Sequence, residues 1–290
     1  MKGILITNAF WQWNKETFDR LSQALLDAAE AQGIDLIHRT NQDFLCALPG
    51  LPALGTDVDF VLFWDKDVRL ASLLERQGVP VFNSARAIAL CDDKTFTHLA
   101  LSRAGLPMPR TVLCPQTFPA NGYPEVDFVR QAGGMLGFPM VVKEGCGSFG
   151  YQVYLAQDAQ AAARIVREKA GTPLLFQEYI QESAGQDLRL YMVGGRCVAA
   201  MRRVNPRDFR ANIQHGGHGE MYVPAEEEID LAAAACRALG LDFAGVDILP
   251  SDRGPLICEV NSNAHFHALS ALTGADIPGS ILSYIRRRIG

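Results

Sequence analysis

Short apolar runs and amphipathic stretches alternate along the first ninety residues. Residues 3–7 predict a strand, residues 15–32 carry apolar positions at helical spacing, and residues 35–39 predict a second strand. Residues 60–64 read as a short buried strand, residues 68–76 as a helix and residues 79–82 as a further strand. This βαβα order implies a parallel sheet of the flavodoxin- or Rossmann-like class. The turn after the first strand reads Asn8-Ala9-Phe10-Trp11, without the glycines of a dinucleotide fingerprint, so this half is not assigned to NAD. Asn83-Ser84 offers a cap for a short helix ending near Cys91. Asp92-Asp93 opens a helix through Arg103, and Gly105-Leu106-Pro107 stops it. Residues 107–113 read as extended, the proline-rich stretch 114–124 as a loop, and residues 126–136 as a helix. From residue 138 the pattern becomes strand, loop, strand, helix, strand, with alternation resumed over 177–200. No internal repeat or low-complexity segment is visible. Boundaries fall near 90 and 175, giving expected domains 1–90, 91–175 and 176–290.

The last of these regions carries the most informative pattern. Residues 243–249 and 255–260 are apolar, and Ser251-Asp252-Arg253-Gly254 between them has turn chemistry. Side chains alternate faces along a strand, so Glu259 and Asn261 project from one side. Folding the hairpin about Arg253 sets Asp247 opposite Glu259 on that same side. Two carboxylates and an amide oxygen then converge where like charges repel unless a cation lies between them. An oxygen-only donor set suits Mg²⁺, which is commonly shared with a nucleotide's phosphates. The bland alternative is a solvated hairpin with ordinary polar residues.

Other segments carry candidate chemistry. Residues 138–153 read as strand, glycine-rich loop and strand. Lys143 ends the first strand, and Gly145, Gly147, Ser148 and Gly150 offer N–H groups and a hydroxyl to phosphate oxygens. A hairpin turn rich in glycine for conformational reasons is the alternative, and the Walker sequence is absent. Residues 174–180 form an apolar strand ending in Gln177-Glu178, which can line an adenine slot, with Asp187 placed for ribose hydroxyls. Arg210 and Asn212 lie on one face if extended, before a glycine-rich loop; a guanidinium and an amide aimed at one spot suit a γ-phosphate or a developing oxyanion. His215, His218, His265 and His267 invite a zinc reading, but no third ligand has recognisable spacing.

Composition narrows the class. At 290 residues, 48% hydrophobic and 20% charged, the chain reads as an ordinary globular protein of about two domains. A net charge of −5 argues against a nucleic-acid partner, because phosphate-backbone binding needs a basic patch. The seven cysteines are scattered without CxxC spacing, which fits reduced thiols. The opening MKGILITNAF has too short an apolar run for a signal peptide, and no run approaches a membrane span, so a cytoplasmic protein without a membrane partner is expected.

Together these segments resemble the RimK-like branch of the ATP-grasp carboxylate–amine ligases, over roughly residues 80–265. The resemblance rests on NSARAIALCDDK with Lys94, AGLPMPRT, the lysine strand with its loop, QEYI, Asp187 and Arg189, FRAN with paired glycines, AGVD and CEVNSN, all in order. It implies an α/β (α+β ATP-grasp) fold: an N-terminal Rossmann-like parallel-sheet domain, then a two-part ATP-grasp domain made of a lid and a C-terminal part. It implies that Lys94 and Lys143 contact ATP phosphates while Gly147, Ser148 and Gly150 close over them. Glu178, Tyr179 and Ile180 would hold adenine, with Asp187 near the ribose. Arg210 and Asn212 would serve the transferring phosphoryl group, and Asp247, Glu259 and Asn261 a site for two Mg²⁺ ions, or Mn²⁺ in their place. The implied reaction is ATP-dependent joining of a carboxylate to an amine, an amino acid among the substrates, through an acyl phosphate. The implied partners are small molecules or a peptide or protein acceptor, and the family often forms homo-oligomers. Two departures fall near the acceptor site: Gln214-His215 stands where the family often reads His-Arg, and Ser262-Asn263-Ala264-His265-Phe266-His267 follows Asn261 where Ser-Pro-Gly is common. A kinase-like ATP-grasp phosphotransferase and a non-catalytic nucleotide-binding module are the rival readings.

Overall fold

The computed structural model describes residues 1–11, 15–55 and 57–290. The first sheet contains β1 (Lys2–Thr7), β2 (Asp35–Thr40), β3 (Phe60–Trp64) and β4 (Val81–Phe82), all parallel in the order β2-β1-β3-β4. β3 is buried at every position, as a central parallel strand covered on both faces must be. Helix α1 (Lys15–Ala31) lays Leu21, Leu25 and Ala29 on the sheet at four-residue spacing. Helix α2 (Val68–Glu75) buries Leu70, Ala71 and Leu74. β4 is shorter than the apolar pattern predicts, because Pro80 has no N–H to give a ladder. The strand order reverses between β1 and β3, which opens a crevice at their carboxyl ends beside Asn8 and Asp65.

Two short helices follow, α3 (Ala85–Asp92) and α4 (Lys94–Arg103). Ser84 caps the first and Asp93 the second, so the helix pair breaks between Asp92 and Lys94. The middle of the chain forms an antiparallel sheet, β5-β8-β6-β7, from β5 (Thr111–Leu113), β6 (Met140–Glu144), β7 (Val153–Ala156) and β8 (Leu174–Glu178). Helices α5 (Asp127–Leu136) and α6 (Ala159–Glu168) cover it over Val129, Met140, Val142, Val166 and Phe176.

The third sheet has the order β11-β10-β9-β12-β13, antiparallel throughout. Its strands are β9 (Gln186–Val193), β10 (Arg196–Val204), β11 (His218–Met221), β12 (Phe243–Leu249) and β13 (Leu256–Asn261). One face packs on α7 (Glu226–Leu239) together with Ala87 of α3 and Leu101 of α4. The other face carries Tyr191, Met201 and Phe243 into a core shared with the first sheet. There Leu5, Leu21, Leu25 and Trp64 meet Ile281, Leu282 and Ile285 of the final helix, α9 (Ile277–Ile289), with α8 (His267–Thr273) beside them. Asn83, fully buried, staples the two sheets. Its amide donates to the carbonyls of Phe243 (2.9 Å) and Ser262 (3.0 Å) and accepts from the N–H of Asp242 (2.7 Å). Among the described residues no helix is long and apolar enough to cross a membrane.

Candidate active site

The β12–β13 ladder sets Asp247 directly opposite Glu259 and Gly245 opposite Asn261, so the three predicted oxygen donors share a face. The register shifts after Asp247, and Cys258 is the extra residue. This bulge brings Cys258 as well as Glu259 to the cleft side, where the Cys258 thiol lies 3.6 Å from Lys143 Nζ.

Sheet pairing also supplies partners that the sequence reading did not assign. Arg189 on β9 stands opposite Asp247, and Arg203 on β10 opposite Asp187. Arg189 donates through Nε and Nη2 to the two oxygens of Asp247. Arg203 grips Asp187 with two bonds of 2.6 Å and reaches Asp247 Oδ2 at 2.8 Å. Burial raises both carboxyls, but the outcomes differ. Asp247, with two guanidiniums, is held below the usual carboxylate range, whereas Asp187, with one and with Asp247 beside it, stays above. Glu259 feels the same burial, yet Lys94 at 3.3 Å keeps it low.

Two lysines are almost wholly inside, Lys94 at 6% exposed and Lys143 at 5%. Lys94 Nζ donates to the Gly147 carbonyl at 3.0 Å as well as pairing with Glu259. Among the described residues Lys143 has no carboxylate within ion-pair distance. An ammonium buried without an anion is costly, and this one faces a cleft.

The glycine-rich loop lies between β6 and β7. Phe149 adopts φ of +61° and Gly150 of +79°, and a Cβ on Gly150 would meet Asn212 Oδ1 at 2.7 Å. Arg210 Nη1 donates to the Gly150 carbonyl at 2.8 Å while its Nε and Nη2 pair with Asp208. The segment holding Arg210 and Asn212 is a series of bends rather than a strand, yet both side chains reach the cleft. Lys66, which the sequence reading did not single out, bonds Ser148 Oγ at 3.3 Å and Asp92 at 2.6 Å.

At the other end of the cleft, the Glu178 carboxylate is a brace. It accepts from the Arg110 N–H and Nε at 2.7 and 2.8 Å and from Arg253 at 2.5 Å. Burial raises it, but these bonds outweigh that and leave it low. Tyr179, Ile180 and Asp187 line the same cleft. A second, larger cavity of about 1000 Å³ opens toward the first sheet and holds Ser148 and Asn261. The two adjoin at Arg203, Asn212 and Glu259. Gly147 lies outside both linings but bonds Lys94.

Glu259 and Asn261 offer hard oxygens, and the Asn261 side chain makes no hydrogen bond among the described residues, so the donor chemistry of these two fits Mg²⁺, while both oxygens of Asp247 are already held by Arg189 and Arg203.

A model of the family described as RimK-like ATP-grasp domain matches residues 91–285. A protein named "Probable alpha-L-glutamate ligase" from Parasynechococcus marenigrum is 37% identical over 219 residues, 74% of this chain but 45% of that protein. One of the same name from Methanococcoides burtonii is 34% identical over 240 residues, 82% of this chain and 75% of that protein. The fold is similar to a RimK domain ATP-grasp protein from Sphaerobacter thermophilus, with a TM-score of 0.74 and 23% identity over 98% of this chain and 99% of that one. It is also similar to D-alanine–D-alanine ligase from Bacillus anthracis, with a TM-score of 0.74 and 18% identity over 99% and 96%. With the family's model spanning both the lysine strand and the carboxylate hairpin, the chain belongs to the RimK-like ATP-grasp family.

Proposed function

We propose that this chain is an ATP- and Mg²⁺-dependent ligase that joins a carboxylate to an amine through an acyl phosphate, with an amino acid as one substrate. The observation that carries the reading is the buried Lys143, which has no ion-pair partner among the described residues and shares with Lys94 a cleft that adjoins a second, larger cavity at Glu259. ATP lies in the smaller cleft with its triphosphate on the two lysines and its base against Tyr179 and Ile180. The substrate carboxylate enters from the larger cavity and attacks the γ-phosphorus, ADP leaves, and an amine then displaces phosphate from the acyl carbon. Asp247, Glu259 and Asn261 would hold Mg²⁺, which would supply neutralisation of the phosphate charge. Arg210 holds the glycine loop through the Gly150 carbonyl and places Asn212 against it, so the loop excludes water from an acyl phosphate that hydrolyses readily. The size of the second cavity admits a peptide acceptor as well as a free amino acid.

The test is phosphate release with ATP and Mg²⁺ across amino acids, small carboxylates and short peptides, followed by mass spectrometry of the products. A condensed product with ADP supports the ligase. A stable phosphorylated product supports the phosphotransferase instead. Asp247→Asn and Glu259→Gln each lower turnover by about 100-fold or more; unchanged turnover in both would falsify the metal assignment.

A further inference from the structure

The large cavity contains a carboxylate that the mechanism above does not use. Asp65 follows β3 at the reversal point of the first sheet, is 8% exposed, and lines the cavity. Asn8 Nδ2 donates to both its oxygens at 3.2 Å, and the Lys66 N–H donates to Oδ1 at 2.7 Å. Asn8 is oriented for this by its own Oδ1, which accepts from the Phe10 N–H at 2.9 Å. Among the described residues no cation stands within ion-pair distance of Asp65, since the neighbouring Lys66 ammonium is turned to Asp92 and Ser148. The other charged groups lining the same cavity are Lys15, Asp19, Arg20, Lys66, Asp67, Arg69, Arg189, Arg203 and Glu259, and none of the cations among them makes an ion pair with Asp65.

A second observation points the same way. Asn263 Nδ2 donates to the Asp65 carbonyl at 2.8 Å, which fixes the amide orientation, and its Oδ1 is buried without a hydrogen-bond partner. A carboxylate with no counter-ion and an orphaned amide oxygen thus sit together. Asn263 is two residues past Asn261 in sequence, and Asp65 adjoins Lys66, whose ammonium touches the glycine loop. An ammonium brings three N–H donors and one positive charge, which is what both groups lack.

We propose that Asp65, with Asn263, receives the ammonium of the amine substrate and that Asp65 takes its proton. This rests on the ligase reading above. Away from water a carboxylate becomes a stronger base and an ammonium a stronger acid, so the proton moves from nitrogen to Asp65. Burial already raises the Asp65 carboxyl. The freed lone pair forms the C–N bond, the acyl C–O bond to phosphate breaks, and the second nitrogen proton leaves with the phosphate. Asp65 returns its proton to solvent when the product departs.

Hydroxylamine separates this step from the first. It is uncharged at neutral pH, needs no ammonium anchor and no proton removed before it attacks, and its one lost nitrogen proton leaves with the phosphate. With ATP, Mg²⁺ and the twenty common amino acids as carboxylates, Asp65→Asn should make hydroxamate within about threefold of wild type. Its ligation with the same amino acids as amines should fall about 100-fold, the usual worth of a positioned general base. Asp65→Glu should ligate faster than Asp65→Asn, and removing the buried charge should not lower the melting temperature. A parallel loss of hydroxamate and ligation, or no loss of either, overturns the assignment. A wild-type protein that forms neither hydroxamate nor condensed product with these amino acids, small carboxylates or short peptides overturns the ligase reading itself.

Discussion

Replacing Arg203 with methionine tests the buried charge row most directly. Arg203 is the only cation on Asp187 among the described residues and one of two on Asp247. The substitution keeps the side chain's apolar stem but leaves Asp187 buried with no counter-ion. Breaking a buried pair by removing one partner costs about 3–5 kcal/mol, because the other charge remains desolvated. For a chain of this length, that is a fall of about 5–8 °C in melting temperature. The loss depends on pH, and its sign follows from Asp187. Its folded pKa already lies above the 3.8 of the unfolded chain, and without Arg203 it rises further. A raised carboxyl stabilises the fold below the unfolded value and withdraws that support as pH climbs toward the folded value. The variant should therefore melt close to wild type near pH 4 and show its full deficit by pH 7. Arg203→Met with Asp187→Leu should recover most of the loss, since an apolar pair replaces an ionic one. Denaturant unfolding at pH 4, 5.5 and 7 is the assay. A deficit under about 1 kcal/mol at pH 7, or an equal deficit at all three values, would refute the reasoning.

Three further outcomes follow from the same cleft. Lys143→Met should raise the KM for ATP about tenfold or more, yet melt higher than wild type, because it deletes a buried ammonium that only an anion satisfies; steady-state kinetics and a melting curve read both. Gly150→Ala forces a Cβ into a left-handed backbone and within 2.7 Å of Asn212, so kcat should fall at least about tenfold with little loss of global stability. His98 donates from Nδ1 to the Lys94 carbonyl and accepts at Nε2 from Gln177, and burial lowers it to about 4, as it also does His265. Both hold the fold fully above pH 6.5, and stability should fall from 6.5 toward 4 by up to about 1.4 kcal/mol per pH unit for each; His98→Gln should flatten that slope.

The elements that local pattern could specify were legible. The continuous apolar run of β3 is a central parallel strand, Ser84 and Asp93 cap the helices they precede, Glu259 and Asn261 share a face by strand alternation, and the hairpin register sets Asp247 opposite Glu259. What escaped was set by neighbours distant in sequence. Asp187 and Arg203 are 16 positions apart, and nothing in the sequence pairs them until the β9–β10 register places one opposite the other. The ion-pair partners of the Glu178 carboxylate, Arg110 and Arg253, are 68 and 75 residues away and carry no local signal. Asp65 and Lys66 carry no motif. Their place follows from the reversal of strand order, a signal that the βαβα pattern contains once its sheet order is worked out.

The core shared by the first sheet and α9 bears on how the chain comes off the ribosome. Leu5, Leu21 and Leu25 complete their packing against Ile281, Leu282 and Ile285, and Gln32 is bonded to Gly279 and Ser283. Although the first sheet is synthesised early, it keeps part of its apolar surface in water until residues 277–289 have emerged. The central antiparallel sheet, whose core draws only on residues 112–176, has no such dependence. The middle of this protein can thus reach its final packing during synthesis, while its beginning must wait for its end.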